Sequence, residues 1–169
     1  MLTRTVRRSP PPPPTPAGWL KLESQLCFAL YSTSLALTKQ YKPLLQPLGL
    51  TYPQYLVLLV LWQHDGRGVN ELCEQLFLDS GTLTPLLKRM EAAGWLTRTR
   101  ALDDERRVIV KLAADGKALR PRAVSVARRL AQSTGCSTDE LLALTRRLQA
   151  LRSHVHGGAS VSTAAALTH

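Results

Sequence analysis

No stretch of this 169-residue chain stays apolar for the roughly 18 residues that a membrane-crossing helix needs. Arg4, Arg7 and Arg8 open the N-terminus, but five prolines in a row follow where a secretory signal needs its apolar run. The expectation is a cytoplasmic protein without a membrane partner. Cysteine is scarce, with only Cys27, Cys73 and Cys136. An odd, sparse set in a reducing compartment is not a disulfide framework, so these are buried thiols, metal ligands or reactive groups. Metal chemistry has little to build on. His64 with Cys73 lacks a third and fourth ligand at recognisable spacing, so neither metal nor cofactor is expected. Acidic residues are also few, 12 against 22 Lys and Arg, which leaves a formal net charge of +10. A cation of that size seeks an anionic partner, most commonly nucleic acid. A membrane surface is the alternative, but no segment sets a basic face against bulky aromatics.

What is present is one domain with flexible ends. Residues 1–18 read as a Pro-rich basic tail, residues 19–156 as the domain, and residues 157–169, from Gly157-Gly158 onward, as a flexible C-terminal tail. Leu22, Leu26, Leu30, Leu37, Tyr41 and Leu45 fall near helical spacing and predict a long first helix ending around Pro43. Thr51-Tyr52-Pro53-Gln54 is a capping box with Pro in the first turn, and it turns the wholly apolar run from Tyr55 to Trp62 toward helix rather than strand. Gly66-Arg67-Gly68 breaks the chain. A short helix over Glu71–Leu78 follows, with Leu72 and Leu76 inward. Asp79 to Pro85 is a turn feeding another helix, which either begins near Thr84 or is distorted early, because Pro85 removes a hydrogen bond. That helix stops at Gly94. Trp95–Thr99 and Val108–Leu112 are β-type runs around a charged hairpin loop, 100–107. Helical stretches interrupted near Pro121 and at Gly135 come next. Ser137-Thr138-Asp139-Glu140 is a second capping box, opening a last helix with Leu141, Leu144, Leu148 and Leu151 on one stripe.

The fold class is therefore mainly α with a small β-wing: a winged helix-turn-helix flanked by N- and C-terminal dimerisation helices. A short helix, a turn and a second helix present the second to a major groove. That helix opens with Ser80, Thr82 and Thr84, small hydroxyl side chains that bond phosphates or base edges, and closes with Lys88 and Arg89. The loop after it carries Arg100, Arg106 and Arg107, suited to minor-groove or phosphate contact. Any one of these cations alone is an ordinary solvated charge; motif, wing and net charge together favour DNA.

The segment Gly94-Trp95-Leu96-Thr97-Arg98 through Asp104-Glu105-Arg106-Arg107-Val108-Ile109-Val110-Lys111-Leu112 resembles the wing of the MarR family, which are dimeric winged-helix repressors. The family's Asp-x-Arg falls on Asp104 and Arg106. The resemblance implies that Asp104 orients an arginine and that Arg106 enters the minor groove. Where the family has a capping Thr after the second wing strand, this chain has Ala113.

Three further blocks resemble the organic hydroperoxide resistance regulators within that family: Leu26-Cys27-Phe28-Ala29-Leu30-Tyr31, Tyr41-Lys42-Pro43-Leu44-Leu45 with Leu48-Gly49-Leu50-Thr51-Tyr52-Pro53-Gln54-Tyr55, and Leu78-Asp79-Ser80-Gly81-Thr82-Leu83-Thr84-Pro85-Leu86-Leu87. The resemblance implies that Cys27 reacts with peroxide, that Tyr41 and Tyr52, with Tyr31 nearby, bond its sulfur across a homodimer, and that Cys136 is a resolving cysteine. A thiolate is the attacking species, and a tyrosine hydroxyl is a donor that leaves its pocket otherwise apolar. Leu26, Phe28 and Leu30 are expected to line that pocket and admit an alkyl hydroperoxide. Taken without the resemblance, a lone Cys on an apolar helix is more often inert core, and the tyrosines ordinary packing aromatics. Cys73 reads as structural, and His154 and His156 as solvent-exposed.

The expected function is a homodimeric, non-enzymatic transcriptional repressor. It binds a pseudo-palindromic operator when reduced and releases it when an organic hydroperoxide oxidises Cys27, which then forms a disulfide with Cys136. The rivals are a repressor that releases DNA on binding a small aromatic acid, a thiol peroxidase, and a bare architectural DNA-binder.

Overall fold

Apolar side chains at helical spacing from Tyr41 onward have to find a common interior, and the packing they choose sets the architecture. The computed structural model describes residues 16–101, 104 and 106–165. It divides into two compact units, residues 1–39 and 40–169. The Pro-rich stretch up to residue 15 lies outside the described residues, as do residues 166–169.

In the first unit, Pro16–Leu20 and Leu22–Ser24 form short 3-10 turns. The Gln25 side-chain amide donates to the Trp19 and Lys21 carbonyls. The first α-helix, α1, starts only at Leu26, so Leu22 precedes it, and it runs through Pro43 to Leu45.

The second unit holds the core. Helix α2 (Tyr52–Gln63) opens at the capping box, with the Thr51 N–H donating to Gln54 Oε1 at 2.8 Å. Its Tyr55, Val57, Leu58, Leu61 and Trp62 are buried, which explains the unbroken apolar run. A two-residue strand, β1 (Arg67–Gly68), leads into α3 (Val69–Leu76), whose Leu72 is fully buried. Helix α4 spans Ser80–Ala92. Strands β2 (Leu96–Arg100) and β3 (Val108–Leu112) form the wing hairpin, with Arg98 opposite Val110. β1 adds to the far side of β3, giving the antiparallel order β1-β3-β2, so the sheet has three strands rather than the expected two. Asp65 Oδ1 anchors that edge, accepting the N–H groups of Gly66 and Leu112.

The two prolines inside helices are resolved. Of the two options at Pro85, the start near Thr84 is corrected: α4 begins at Ser80 and passes through Pro85. Proline in a helix interior costs about 3 kcal/mol or more. Leu83, Leu86, Leu87 and Met90 of the same helix are all buried, and burying each is worth roughly 1.5–3 kcal/mol. Packing therefore overrides the local rule. Helix α5 (Ala114–Ser133) likewise continues through Pro121, with Leu119, Ala123 and Val126 buried on its inner side. Its Ala113 cap makes no side-chain hydrogen bond, and the helix still starts there. The last helix, α6, spans Thr138–Ala165.

One glycine is required by close approach. A Cβ on Gly116 would meet the Trp95 carbonyl oxygen at 2.0 Å. The Gly116 carbonyl in turn accepts the buried Trp62 indole N–H at 2.9 Å. This contact seats α5 against the start of β2 and the end of α2.

Candidate nucleic-acid interface and thiol site

The interface is built from the first turn of α4 outward. Asp79 caps α4, its Oδ1 accepting the Thr82 N–H at 2.8 Å. The Thr82 hydroxyl donates to Asp79 Oδ2 at 2.8 Å. These two bonds hold the Asp79 carboxyl below the usual carboxylate range. They also commit the Thr82 proton, so toward a ligand this hydroxyl presents acceptor lone pairs, which suit a base amino group better than a phosphate. Ser80, Thr82, Lys88 and Arg89 are all exposed on α4. Thr84 is half-buried and lines a cavity of about 250 Å³ with Asn70, Arg98, Arg106 and Arg107. The helix pair and the wing therefore meet at a concavity carrying three arginines.

At the hairpin tip, Asp104 Oδ1 accepts the Arg106 backbone N–H at 2.9 Å. Asp104 thus holds the Arg106 backbone, and the Arg106 side chain is exposed. The Asp104 carbonyl accepts the Arg107 N–H at 2.9 Å, and the Arg107 carbonyl accepts the Ala101 N–H at 2.8 Å. Arg100 closes β2 and is exposed.

Glu91 and Arg98 were not singled out as site residues by sequence reasoning. Arg98 Nε and Nη2 donate to Glu91 Oε2 at 2.9 and 2.7 Å, and the Arg98 backbone N–H donates to Oε1 at 2.9 Å. The Arg98 hydrogen bonds hold the Glu91 carboxyl below its ordinary range. A spacing of seven across a glycine turn has no helical or strand period, so only the Glu at the helix end and the Arg in the strand were available as signals.

The thiol residues fall in both units. In the first, Cys27 lies in the opening turn of α1 and is exposed, as are Leu26, Phe28, Leu30 and Tyr31. In the second, Tyr41 and Tyr52 stack with ring centroids 4.5 Å apart, and Tyr55 lies 5.8 Å from Tyr41. Burial, then its tyrosine neighbours, push the Tyr41 hydroxyl up to about 12. Burial raises Tyr52 as well. Both remain neutral hydrogen-bond donors at neutral pH. Tyr55 joins this cluster and was not among the expected site residues.

Cys136 is exposed on the turn between α5 and α6, following Gly135 at φ +69°. Its thiol faces the Thr134 carbonyl at 3.8 Å. The second capping box follows, with the Ser137 N–H and hydroxyl both donating to Glu140 Oε2 at 2.8 Å. Cys73 is half-buried against the core, and burial raises its thiol, so it stays protonated. His154 and His156 are exposed, the latter stacked 5.3 Å from Phe77. Among the described residues, no group of three or more His, Cys, Asp or Glu is placed to hold a metal. No single described helix is long and apolar enough to cross a membrane.

Residues 39–120 match the family described as transcriptional regulator SarA/Rot. The chain is 49% identical over 137 residues to the organic hydroperoxide resistance transcriptional regulator of Bacillus subtilis (strain 168), covering 81% of this chain and 93% of that protein. Among solved structures it is similar to AbfR of Staphylococcus epidermidis, with 33% identity, a TM-score of 0.70, and 80% and 94% of the two chains covered. Reduced AbfR bound to DNA matches at 35% identity and a TM-score of 0.65, over 79% and 93% of the chains. The disulfide form of AbfR matches at 35% and 0.57, over 77% and 91%.

Proposed function

Because the chain belongs to the MarR family of winged-helix regulators, in its organic hydroperoxide resistance branch, we infer that it is a DNA-binding repressor that senses organic hydroperoxides through Cys27. The observation that carries this reading is an exposed thiol in the first turn of α1, on a chain 49% identical to an organic hydroperoxide resistance regulator. The first turn of a helix is the end that favours an anion, and the thiolate is the nucleophile.

The reduced protein binds a pseudo-palindromic operator as a homodimer. One α4 enters the major groove at each half-site, and Arg106 and Arg107 of the wing meet the flanking minor groove or backbone. Ser80, Thr82, Thr84, Lys88 and Arg89 supply the helix contacts, and Arg100 adds charge at the wing base. Bare apolar rows support the dimer. Leu26, Phe28 and Leu30 on α1 and Leu142, Leu144 and Leu148 on α6 are all exposed in the single chain, and patches of that kind mark association surfaces.

The Cys27 thiolate attacks the outer oxygen of the hydroperoxide. The O–O bond breaks, the alkoxide leaves and takes a proton as the alcohol, and Cys27 becomes a sulfenic acid. The Cys136 thiol then attacks that sulfur, and water leaves as the disulfide forms. The Tyr41 and Tyr52 hydroxyls donate to the sulfur across the dimer and stabilise the developing charge there, with Tyr31 nearby. The new bond ties the start of α1 to the turn before α6, displaces the dimerising helices and misaligns the two DNA-reading heads. Each oxidation is one event per thiol, so the protein is a regulator rather than a peroxidase, and it acts where its operator lies, in the cytoplasm. Residues 19–156 are the functional domain.

Non-reducing peptide mapping after an organic hydroperoxide pulse tests the chemistry. A Cys27–Cys136 linkage is expected, with Cys73 still free. A linkage through Cys73, or none, would assign the sensing to other groups.

A further inference from the structure

The wing can contribute to operator binding only if the hairpin is held at a fixed angle to α4. Beyond β2 the loop carries the Ala101–Arg107 and Asp104–Arg107 bonds, and the attachment of the hairpin lies at its base. There Glu91, in the last turn of α4, takes three donors from one strand residue: the Arg98 N–H on Oε1, and Nε and Nη2 together on Oε2. The Arg98 and Glu91 side chains are only 23% and 35% exposed. Removing the carboxylate would strand a guanidinium and a strand amide without partners. On the opposite edge of the sheet, Arg67 of β1 pairs with Glu71 of α3 at 3.3 Å. The sheet is thus stitched to both helices of the helix-turn-helix, and the cavity holding Arg106 and Arg107 lies between the stitches. Leu96, Val110 and Leu112 bury the base of the hairpin in the core, which secures its existence. The Glu91 carboxylate is what ties it laterally to α4.

We propose that Glu91 is a positioning residue: through Arg98 it fixes the β2–β3 hairpin against the recognition helix, so that the contribution of Arg106 and Arg107 to operator affinity depends on a side chain that does not touch DNA. This rests on the reading of Arg106 as an operator contact, and the test separates the two.

Amide hydrogen exchange is measured first, on the full-length protein without DNA. In Glu91→Ala, amides of residues 97–100 and 108–110 are expected to exchange roughly tenfold faster or more, with α4 amides unchanged. Glu91→Gln, which keeps a carbonyl oxygen for the Arg98 N–H, is expected to fall between. Operator affinity is then measured in a double-mutant cycle. The loss caused by Arg106→Ala is expected to shrink several-fold in the Glu91→Ala background, while the loss caused by Lys88→Ala stays the same. Unchanged wing exchange overturns the proposal, as does an Arg106→Ala loss equal in both backgrounds. Exchange rising throughout α4 also overturns it, because Glu91 would then serve the stability of the whole domain. If Glu91→Ala does not fold, Glu91→Gln is read against the same criteria. If Arg106→Ala costs nothing in the parent, the operator role of the wing fails, and exchange alone decides the positioning role.

Discussion

Tyr41 and Tyr52 stack with their ring centroids 4.5 Å apart and their planes tilted by 33°, joining the last turns of α1 to the first residue of α2. Burial there raises the Tyr41 hydroxyl to about 12, above its ordinary 10, because the fold favours the neutral form. The sign of the pH dependence follows. The stabilisation is complete below pH 10, where Tyr41 is neutral in both folded and unfolded chains. It is lost as pH rises from about 10 to about 12, where the unfolded chain ionises first. Tyr41→Phe should flatten that alkaline loss and remove a tyrosinate that forms near pH 12 from an ultraviolet absorbance titration. The same substitution, and Tyr52→Phe, should slow thiol oxidation while leaving operator affinity unchanged.

Gly116→Ala should destabilise the protein severely. The added Cβ meets a backbone oxygen, that of Trp95, at 2.0 Å, and a backbone atom cannot swing aside as a side chain does. Overpacking a core costs about 1–3 kcal/mol, occasionally more, and this contact belongs at or above the upper figure. A urea melt reads the effect directly; a midpoint equal to the parent's contradicts the close approach.

Operator binding should weaken steeply as salt rises, since each phosphate neutralised releases counterions. Arg106→Ala should weaken binding and lower the slope of log affinity against log salt by about 1 for each phosphate that is no longer neutralised. Asp104→Ala should weaken it less, because it removes only the acceptor of the Arg106 N–H. Affinity indifferent to ionic strength in a titration would refute the electrostatic role of the wing.

Sedimentation at micromolar concentration should report a dimer. A charged substitution such as Leu148→Glu on the bare stripe of α6 should shift it toward monomer and weaken operator binding with it. A parent that sediments as a monomer would remove the half-site geometry and the homodimeric sensor together.

The parts of this fold written in local chemistry were legible. The capping boxes at Thr51–Gln54 and Ser137–Glu140 and the β-type run Val108–Leu112 appear where the sequence placed them. The expectations that failed were local rules overruled by packing. Pro85 and Pro121 stay inside helices because buried apolar side chains on the same helices outweigh one missing hydrogen bond each. β1 is two residues long, too short to carry a period, and owes its existence to the edge of β3 and to Asp65. The Glu91–Arg98 pair depends on how a helix end meets a strand, which no spacing encodes. For the thiol residues, types were readable, but the exposure of Leu26, Phe28 and Leu30 beside Cys27 was not, because an apolar helical stripe reads the same whether it packs inward or stays bare.

A thiol on α1 that switches DNA binding is tested most directly by operator release from the Cys27→Ser protein. Parent and variant are bound reduced to the same operator duplex, pulsed with an organic hydroperoxide and followed by fluorescence anisotropy. The parent should release the duplex and rebind it after thiol reduction, while Cys27→Ser, whose hydroxyl cannot form a sulfenic acid, should bind as tightly at the start and stay bound. Release of Cys27→Ser at the parent's rate and peroxide concentration would contradict the claim and leave a non-covalent ligand as the better account of the switch.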